Sequence, residues 1–285
     1  MGDEKNGLTR KGFLKVSAIG AVAAAGTGVL TATENLEAMS LIRKRKSVKW
    51  AMVIDLDRCT GCNACSIACK AEFDTRLGVF RSQVIYYEYG EYPNTNKDFL
   101  PWLCNHCENP PCIKVCPVDP INAEFNGVTF KKRATYKRPD GVVRVDQDRC
   151  IGCGLCLQNC PYKVRFFDSG KKAGGNPDAN PASKCDFCVH RLDAGVVPSC
   201  INTCPARARI IGDLNDSNSE VSKLLKRYKA GVLLSEKGTK PHLFYIGKNR
   251  NKINEALKKG EDIRIEVNSK YQLEIWKDGP YAGGI

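Results

Sequence analysis

The chain has 285 residues, enough for one large domain or two small ones, and it contains 16 cysteines. Lys and Arg outnumber Asp and Glu by 44 to 31, which gives a formal net charge of +13. A nucleic-acid-binding protein would place an aromatic platform or a recognition helix beside its basic residues; the sequence has neither, and we expect no nucleic-acid partner. Because the hydrophobic fraction of 42% counts every cysteine, we expect something besides apolar burial to hold the fold.

Residues 1–40 have the layout of an export signal. Arg10, Lys11 and Lys15 precede a small-residue apolar stretch, residues 16–30, which polar residues follow. Residues 9–15, TRKGFLK, are similar to the twin-arginine export motif with lysine in the second basic place. The alternative is a membrane anchor, but this stretch is shorter than the roughly 20 residues that a spanning helix needs. We therefore expect an exported protein.

The cysteines form four quartets with none left over. The quartets are Cys59, Cys62, Cys65 and Cys69; Cys104, Cys107, Cys112 and Cys116; Cys150, Cys153, Cys156 and Cys160; and Cys185, Cys188, Cys200 and Cys204.

Disulfides, zinc and iron-sulfur clusters are the three chemistries that compete for these quartets. Disulfides suit an exported chain, but cysteines packed as CxxCxxC cannot all find distant partners. Zinc would suit the fourth quartet alone, since its two pairs are widely separated. Residues 150–161, CIGCGLCLQNCP, carry the complete CxxCxxCxxxCP pattern of bacterial ferredoxins. The spacing therefore predicts a 4Fe-4S cluster for each quartet, and the bound anionic clusters would lower the net charge to about +5.

An internal repeat relates the first quartet to the third. Asp55 to Cys69 aligns with Asp146 to Cys160, and the match keeps the acidic residues and the glycine of each loop. The second and fourth quartets also correspond, with a longer insertion in the fourth. We predict an α+β fold of two ferredoxin-like modules related by duplication, each carrying two clusters. Because a fourth cysteine often ligates the other cluster of a pair, the spacing alone leaves open which quartets combine.

The other elements follow from local patterns. We expect a strand before each cluster loop and a helix near each fourth cysteine. Strands are predicted at 127–132, 141–146 and 242–247, a loop at 170–183 and a helix at 219–234. The predicted domains are 1–40 (signal), 47–212 (double ferredoxin-like domain) and 213–285 (a capping or docking extension).

The order of the quartets resembles that of the iron-sulfur electron-transfer subunits of the DMSO-reductase family of molybdenum enzymes. Within that family, FRSQV, GEYPNTNKDFLPWLCNHCENPPC and KCDFCVHRLDAGVVPSC are most similar to tetrathionate reductase iron-sulfur subunits. The third quartet has Cys153 where the nitrate reductase branch has tryptophan, so the resemblance implies four 4Fe-4S clusters. Residues 119–133 look like an insertion, which leaves the partner-facing surface there undefined.

The resemblance also implies how the quartets combine. The implied ligand sets are Cys59, Cys62, Cys65 with Cys204; Cys185, Cys188, Cys200 with Cys69; Cys104, Cys107, Cys112 with Cys160; and Cys150, Cys153, Cys156 with Cys116. His106 interrupts the second quartet, but all quartets are complete without it. We expect His106 beside a cluster or at the surface.

The function implied by the resemblance is non-catalytic electron transfer in anaerobic respiration. The chain would pass electrons from a membrane-integral quinol-oxidising subunit to a molybdopterin-containing catalytic subunit, at the periplasmic face of the cytoplasmic membrane. The implied complex is a tetrathionate reductase, with polysulfide, thiosulfate and arsenate reductases as alternatives. A zinc-bound structural or nucleic-acid module is the alternative from another class of protein.

Overall fold

A computed structural model describes residues 47–89 and 92–247, with side chains described for all of these except 87–89. The predicted signal at 1–40 and the end of the predicted extension lie outside the described residues. The strands are β1 (Trp50–Asp55), β2 (Ser82–Tyr89), β3 (Asn96–Leu103), β4 (Ile121–Phe125), β5 (Val128–Lys132), β6 (Thr135–Lys137), β7 (Val143–Val145), β8 (Phe166–Phe167), β9 (Ala182–Ser183), β10 (Arg209–Asp213) and β11 (Leu243–Ile246). The helices are α1 (Ala64–Phe73), α2 (Pro111–Lys114), α3 (Leu155–Gln158), α4 (Val189–Asp193), α5 (Ser199–Asn202) and α6 (Glu220–Arg227).

Strand β1 is the centre of a three-stranded sheet, in the order β10-β1-β11. It pairs antiparallel with β10 and parallel with β11. Because successive side chains of a strand point to opposite faces, Met52 and Ile54 pack into the cysteine-containing core, whereas Ala51 and Val53 pack on the other side. The strand WAMVID is apolar in its interior because both of its faces are covered.

Helix α6 covers the second face of this sheet. Ser219 caps the helix, since its Oγ accepts the N–H of Ser222 at 3.1 Å. Val221 is fully buried there, with Leu224 and Leu225 packed beside it. The described part of the predicted extension thus packs on the same sheet as β1, through α6 and β11.

The remaining strands of the described residues form two-stranded ribbons, β2-β3, β4-β5, β6-β7 and β8-β9. The predicted insertion at 119–133 contains the β4-β5 hairpin. Asn126 and Gly127 turn this hairpin with φ of 50° and 76°, the left-handed pair that a two-residue turn needs. The prediction of an α+β fold is confirmed, and the sheets of the described residues are small.

The helices of the cluster loops begin earlier than the sequence pattern predicted. Helices α1, α3 and α5 begin just before the third cysteine of their quartets, and α2 begins just before Cys112. Helices α2, α3 and α5 each end before the fourth cysteine of their quartet, because the proline that follows this cysteine cannot continue the helix. Helix α6 likewise stops at Arg227 rather than at residue 234. Among the described residues, no helix has both the length and the apolar character to cross a membrane.

Candidate metal centres

The first three cysteines of the first quartet share a cavity with the last cysteine of the fourth. Cys59, Cys62 and Cys65 come from the loop before α1 and from its first turn, and Cys204 comes from the connection between α5 and β10. Including its open mouth, the cavity encloses about 350 Å³ between its walls. Burial raises the pKa of the Cys59 thiol, although the Gly61 N–H opposes this.

Glycine gives this loop its close curvature. Gly61 has φ of +69°, and a Cβ built there would lie 2.3 Å from Cδ1 of Phe99. The Gly61 carbonyl accepts the hydroxyl of Tyr86 at 2.8 Å. Only glycine fits both the left-handed conformation and the narrow space beside the Phe99 ring.

The first three cysteines of the second quartet line a second cavity together with the last cysteine of the third. Its thiols are Cys104, Cys107, Cys112 and Cys160, and it encloses about 300 Å³ including its mouth. Burial raises the pKa of Cys107 to about 12 and that of Cys112 to about 11. Since metals bind the thiolate, these thiols must lose protons when a metal or cluster enters.

Cys69, Cys185, Cys188 and Cys200 form a third set of neighbouring thiols, all buried. Burial raises the pKa of Cys69 to about 12, and the nearby Cys200 adds to this effect. Burial likewise raises the pKa of Cys188 to about 12, with Cys200 and Cys69 among its charged neighbours.

The fourth set lies around a separate small core. Cys116, Cys150 and Cys156 are buried in one apolar cluster with Ala134 and Ala182. The N–H of Ala182 points to Sγ of Cys150 at 3.5 Å. Cys153 is exposed, as is Cys62 at the corresponding place in the first quartet, while the other fourteen cysteines are buried or half-buried.

In the first three sets, the fourth cysteine of one quartet therefore lies with the first three of another. In the fourth set, Cys116 lies with Cys150 and Cys156. Among residues 47–89 and 92–247, no three Cys, His, Asp or Glu side chains converge as they would on a single metal ion. In the two sets with a defined cavity, the thiols surround a space instead. Ligation of clusters by these sets stays a prediction.

His106 is not at the surface, which was one of its two predicted places. Its side chain is fully buried, and its Nδ1 accepts the N–H of Val143 at 3.1 Å. Burial lowers the pKa of His106 well below its ordinary value, and the nearby charge of Lys184 acts in the same direction. The imidazole is therefore neutral and serves as a hydrogen-bond acceptor.

Two arginines that lie buried beside the thiols were not predicted from the sequence. Arg165 lines the cavity of Cys104, and Arg209 lines that of Cys59. Nη2 of Arg209 is buried and has no hydrogen-bond partner within the described part of the chain. An unpaired cationic donor facing a thiol-lined cavity fits an anionic, sulfur-rich group. The repeated pattern CPYKVR and CPARAR, at 160–165 and 204–209, is the signal that could have identified both residues.

Comparison with known proteins agrees with this chemistry. Residues 95–214 match the model of a 4Fe-4S dicluster domain, and residues 50–71 match that of a 4Fe-4S binding domain. The chain is 44% identical over 204 residues to a tetrathionate reductase subunit of Salmonella typhimurium, covering 70% of this chain and 72% of that protein. The chain is an iron-sulfur subunit of the DMSO-reductase molybdoenzyme family.

Other members of this iron-sulfur subunit family are similar over comparable lengths. A selenate reductase subunit of Mesobacillus selenatarsenatis is 37% identical over 232 residues, which is 73% of this chain and 75% of that protein. The arsenate respiratory reductase iron-sulfur subunit of a Shewanella species is 35% identical over 239 residues, 70% of this chain and 96% of that protein. Subunits of this family transfer electrons within reductase complexes and are not themselves the catalytic subunits.

Proposed function

We propose that this subunit holds four 4Fe-4S clusters and carries electrons through them between two partner subunits. The observation that supports this most directly is the meeting of thiols from separate quartets, seen around two cavities and in two further sets. The proposed ligands are Cys59, Cys62, Cys65 and Cys204; Cys69, Cys185, Cys188 and Cys200; Cys104, Cys107, Cys112 and Cys160; and Cys116, Cys150, Cys153 and Cys156. When bound, each such cluster accepts and releases one electron.

We propose further that the two modules arose by duplication. Asp55 and Asp146 occupy equivalent positions, and each accepts the N–H of the second residue after it at 3.1 Å. Gly61 and Gly152 have nearly the same φ, +69° and +70°. Equivalent sequence positions therefore adopt equivalent local conformations in the first and third quartets.

The exposed thiols indicate where electrons would enter and leave the chain. Cys62 and Cys153 belong to different proposed modules, and both are exposed. Because electron transfer weakens steeply with distance, the sites that reach the surface are the natural points of exchange with partners. We propose a molybdopterin-containing catalytic subunit at one of these points and a membrane-integral quinol-oxidising subunit at the other.

Tetrathionate is the substrate that we propose for the catalytic partner, because the relative at 44% identity is a tetrathionate reductase subunit. Arsenate, polysulfide and thiosulfate reductases remain the alternatives, and the arsenate reductase relative at 35% identity supports the first of these. We place the complex at the periplasmic face of the cytoplasmic membrane on the basis of the signal-like residues 1–40, with residues 213–285 as a cap or docking element.

The test of this function is an iron, zinc and acid-labile sulfide determination on chain purified without oxygen. About sixteen irons per chain with matching sulfide are expected for four clusters. A few zincs and no sulfide would instead mean a structural zinc protein. Co-purification of the native complex, followed by a screen of electron acceptors, then decides between tetrathionate and the alternatives.

A further inference from the structure

Two buried arginines occupy matching places in the two proposed modules. Arg165 is 8% exposed and Arg209 is 2% exposed. Each ends a six-residue segment that starts with the fourth cysteine of a quartet, CPYKVR at 160–165 and CPARAR at 204–209. Arg165 directly precedes β8, and Arg209 is the first residue of β10. The two side chains thus enter the core from the same point of each module.

The backbone segments that lead to the two arginines also have the same conformation. Lys163 and Arg207 adopt the left-handed conformation, with φ of 50° and 49°. Their N–H groups donate to the carbonyl oxygens of Cys160 and Cys204, both at 3.1 Å. This turn reverses the chain after each fourth cysteine and directs the following arginine toward the thiols.

A buried hydroxyl holds each guanidinium in place. Nη1 of Arg165 donates to Oγ1 of Thr135 at 3.4 Å, and Nη1 of Arg209 donates to Oγ of Ser82 at 2.9 Å. Thr135 is the first residue of β6, and Ser82 is the first residue of β2. Strand β2 is the first strand after the first quartet, whereas β6 is the third strand after the second quartet and follows the β4-β5 hairpin.

The remaining donors of Arg165 and Arg209 face cysteines. Nη2 of Arg165 donates to Sγ of Cys112 at 3.0 Å, and Cys156 lies within its electrostatic reach. Cys200 and Cys65 lie within the electrostatic reach of Arg209. These four thiols are the third cysteines of the four quartets, so each arginine lies between the two sites of its module.

Both guanidinium groups stay charged in this environment. Arginine keeps its proton in proteins, even where its side chain is buried. Salt and water screen such buried charges poorly. A fixed positive charge is therefore built into each module between its two candidate sites.

We propose that Arg165 and Arg209 are the shared counter-charges of the cluster pairs, each raising the reduction potentials of both clusters in its own module. This inference rests on the proposed function. Reduction adds negative charge to a cluster, and a cation held beside it favours the reduced state. Each arginine thus raises the reduction potentials of the two clusters in its own module. The potentials of one module can therefore change without a change in those of the other.

The experiment is an EPR-monitored redox titration of the full chain, loaded with clusters and handled without oxygen. We expect Arg165→Gln to shift two transitions to lower potential and to leave the other two unchanged. Arg209→Gln should shift the other pair. Lysine at either position should give a smaller shift, because it keeps the charge but lacks the second donor. Arg227→Gln is the control, since Arg227 is exposed on α6 and its loss should shift none.

Fully loaded glutamine variants with unshifted potentials would overturn the inference while leaving the proposed function intact. A shift spread equally over all four transitions would also overturn it. If the glutamine variants do not load, Thr135→Val and Ser82→Ala replace them, because each removes the hydroxyl that holds a guanidinium; unchanged potentials in both would again reject the inference. Wild-type chain without iron would reject the proposed function itself, and it is recognised before any variant is made.

Discussion

His106 and Phe187 stack face to face in the buried core, with their ring centroids 3.6 Å apart. Each is the second residue after the first cysteine of its quartet, and both adopt positive φ, 44° and 56°. Cys104 and Cys185, which precede them, belong to different proposed modules. The stack is therefore a direct packing contact between the cysteine loops of the two modules.

Replacement of His106 by leucine tests the hydrogen bond that accompanies this stack. The N–H of Val143 donates to Nδ1 of His106 at 3.1 Å, and leucine would leave that buried N–H without its acceptor. We expect His106→Leu to lower the free energy of unfolding by about 1–3 kcal/mol. At about 2–4 °C per kcal/mol for a chain of this size, the loss is measurable as a lower Tm of the cluster-loaded protein.

His190→Leu is the matched control for this change. The His190 side chain is 50% exposed and contacts Glu72, so its loss should cost no more than about 1 kcal/mol. Equal Tm losses in the two variants would contradict a special role for the buried histidine.

Alanine substitutions at Gly61 and Gly127 distinguish the cost of backbone strain from the cost of steric overlap. Both have positive φ, but a Cβ at Gly61 would lie 2.3 Å from the Phe99 ring, whereas one at Gly127 would have no atom within 4 Å. We expect Gly127→Ala to cost about 1–2 kcal/mol through its left-handed conformation alone. Gly61→Ala should cost clearly more and reduce the iron content, as measured by Tm and by iron per chain. Full iron content and equal Tm in both variants would contradict the close fit of the first loop.

Local patterns in the sequence were sufficient for the elements whose residues are neighbours along the chain. The strands at β5, β7 and β11 were predicted from short apolar runs, and each quartet was identified by its own spacing. The short strand β6 was missed because TYK carries almost no pattern. The helix starts were misplaced because the fourth cysteine and its proline were taken as the start of a helix rather than its end.

Contacts between residues that are distant along the chain could not be predicted from local sequence patterns. Nothing in the spacing places Cys204 beside Cys59, or Arg209 beside Ser82, since these contacts depend on how separate loops pack. The burial of His106 likewise depends on Phe187 in another quartet. Sequence spacing specifies the ligand type, and tertiary packing specifies which ligands share a site.

Paired cysteine variants test the proposed ligand sets. Cys65 and Cys204 line the same cavity, so Cys65→Ala and Cys204→Ala should each remove about four irons. Since both changes affect one cluster, the double variant should lose no more iron than either single variant. Cys65→Ala combined with Cys160→Ala is the control: Cys160 lines the other cavity, and about eight irons should be lost. Additive loss from Cys65→Ala and Cys204→Ala would reject this set.

Removal of iron should unfold much of the chain. Cys65, Cys104 and Cys160 lie in the same buried cluster as Met52 and Ile54, so an emptied site would leave polar thiols and a void in the main core. All sixteen cysteines are free, and no disulfide would hold these segments when the metal is gone. We expect anaerobic chelation to abolish protease resistance and reduce the far-UV circular dichroism, whereas a thiol reductant without chelator should change neither. Native-like protease resistance in iron-free chain would show that apolar packing alone maintains the fold.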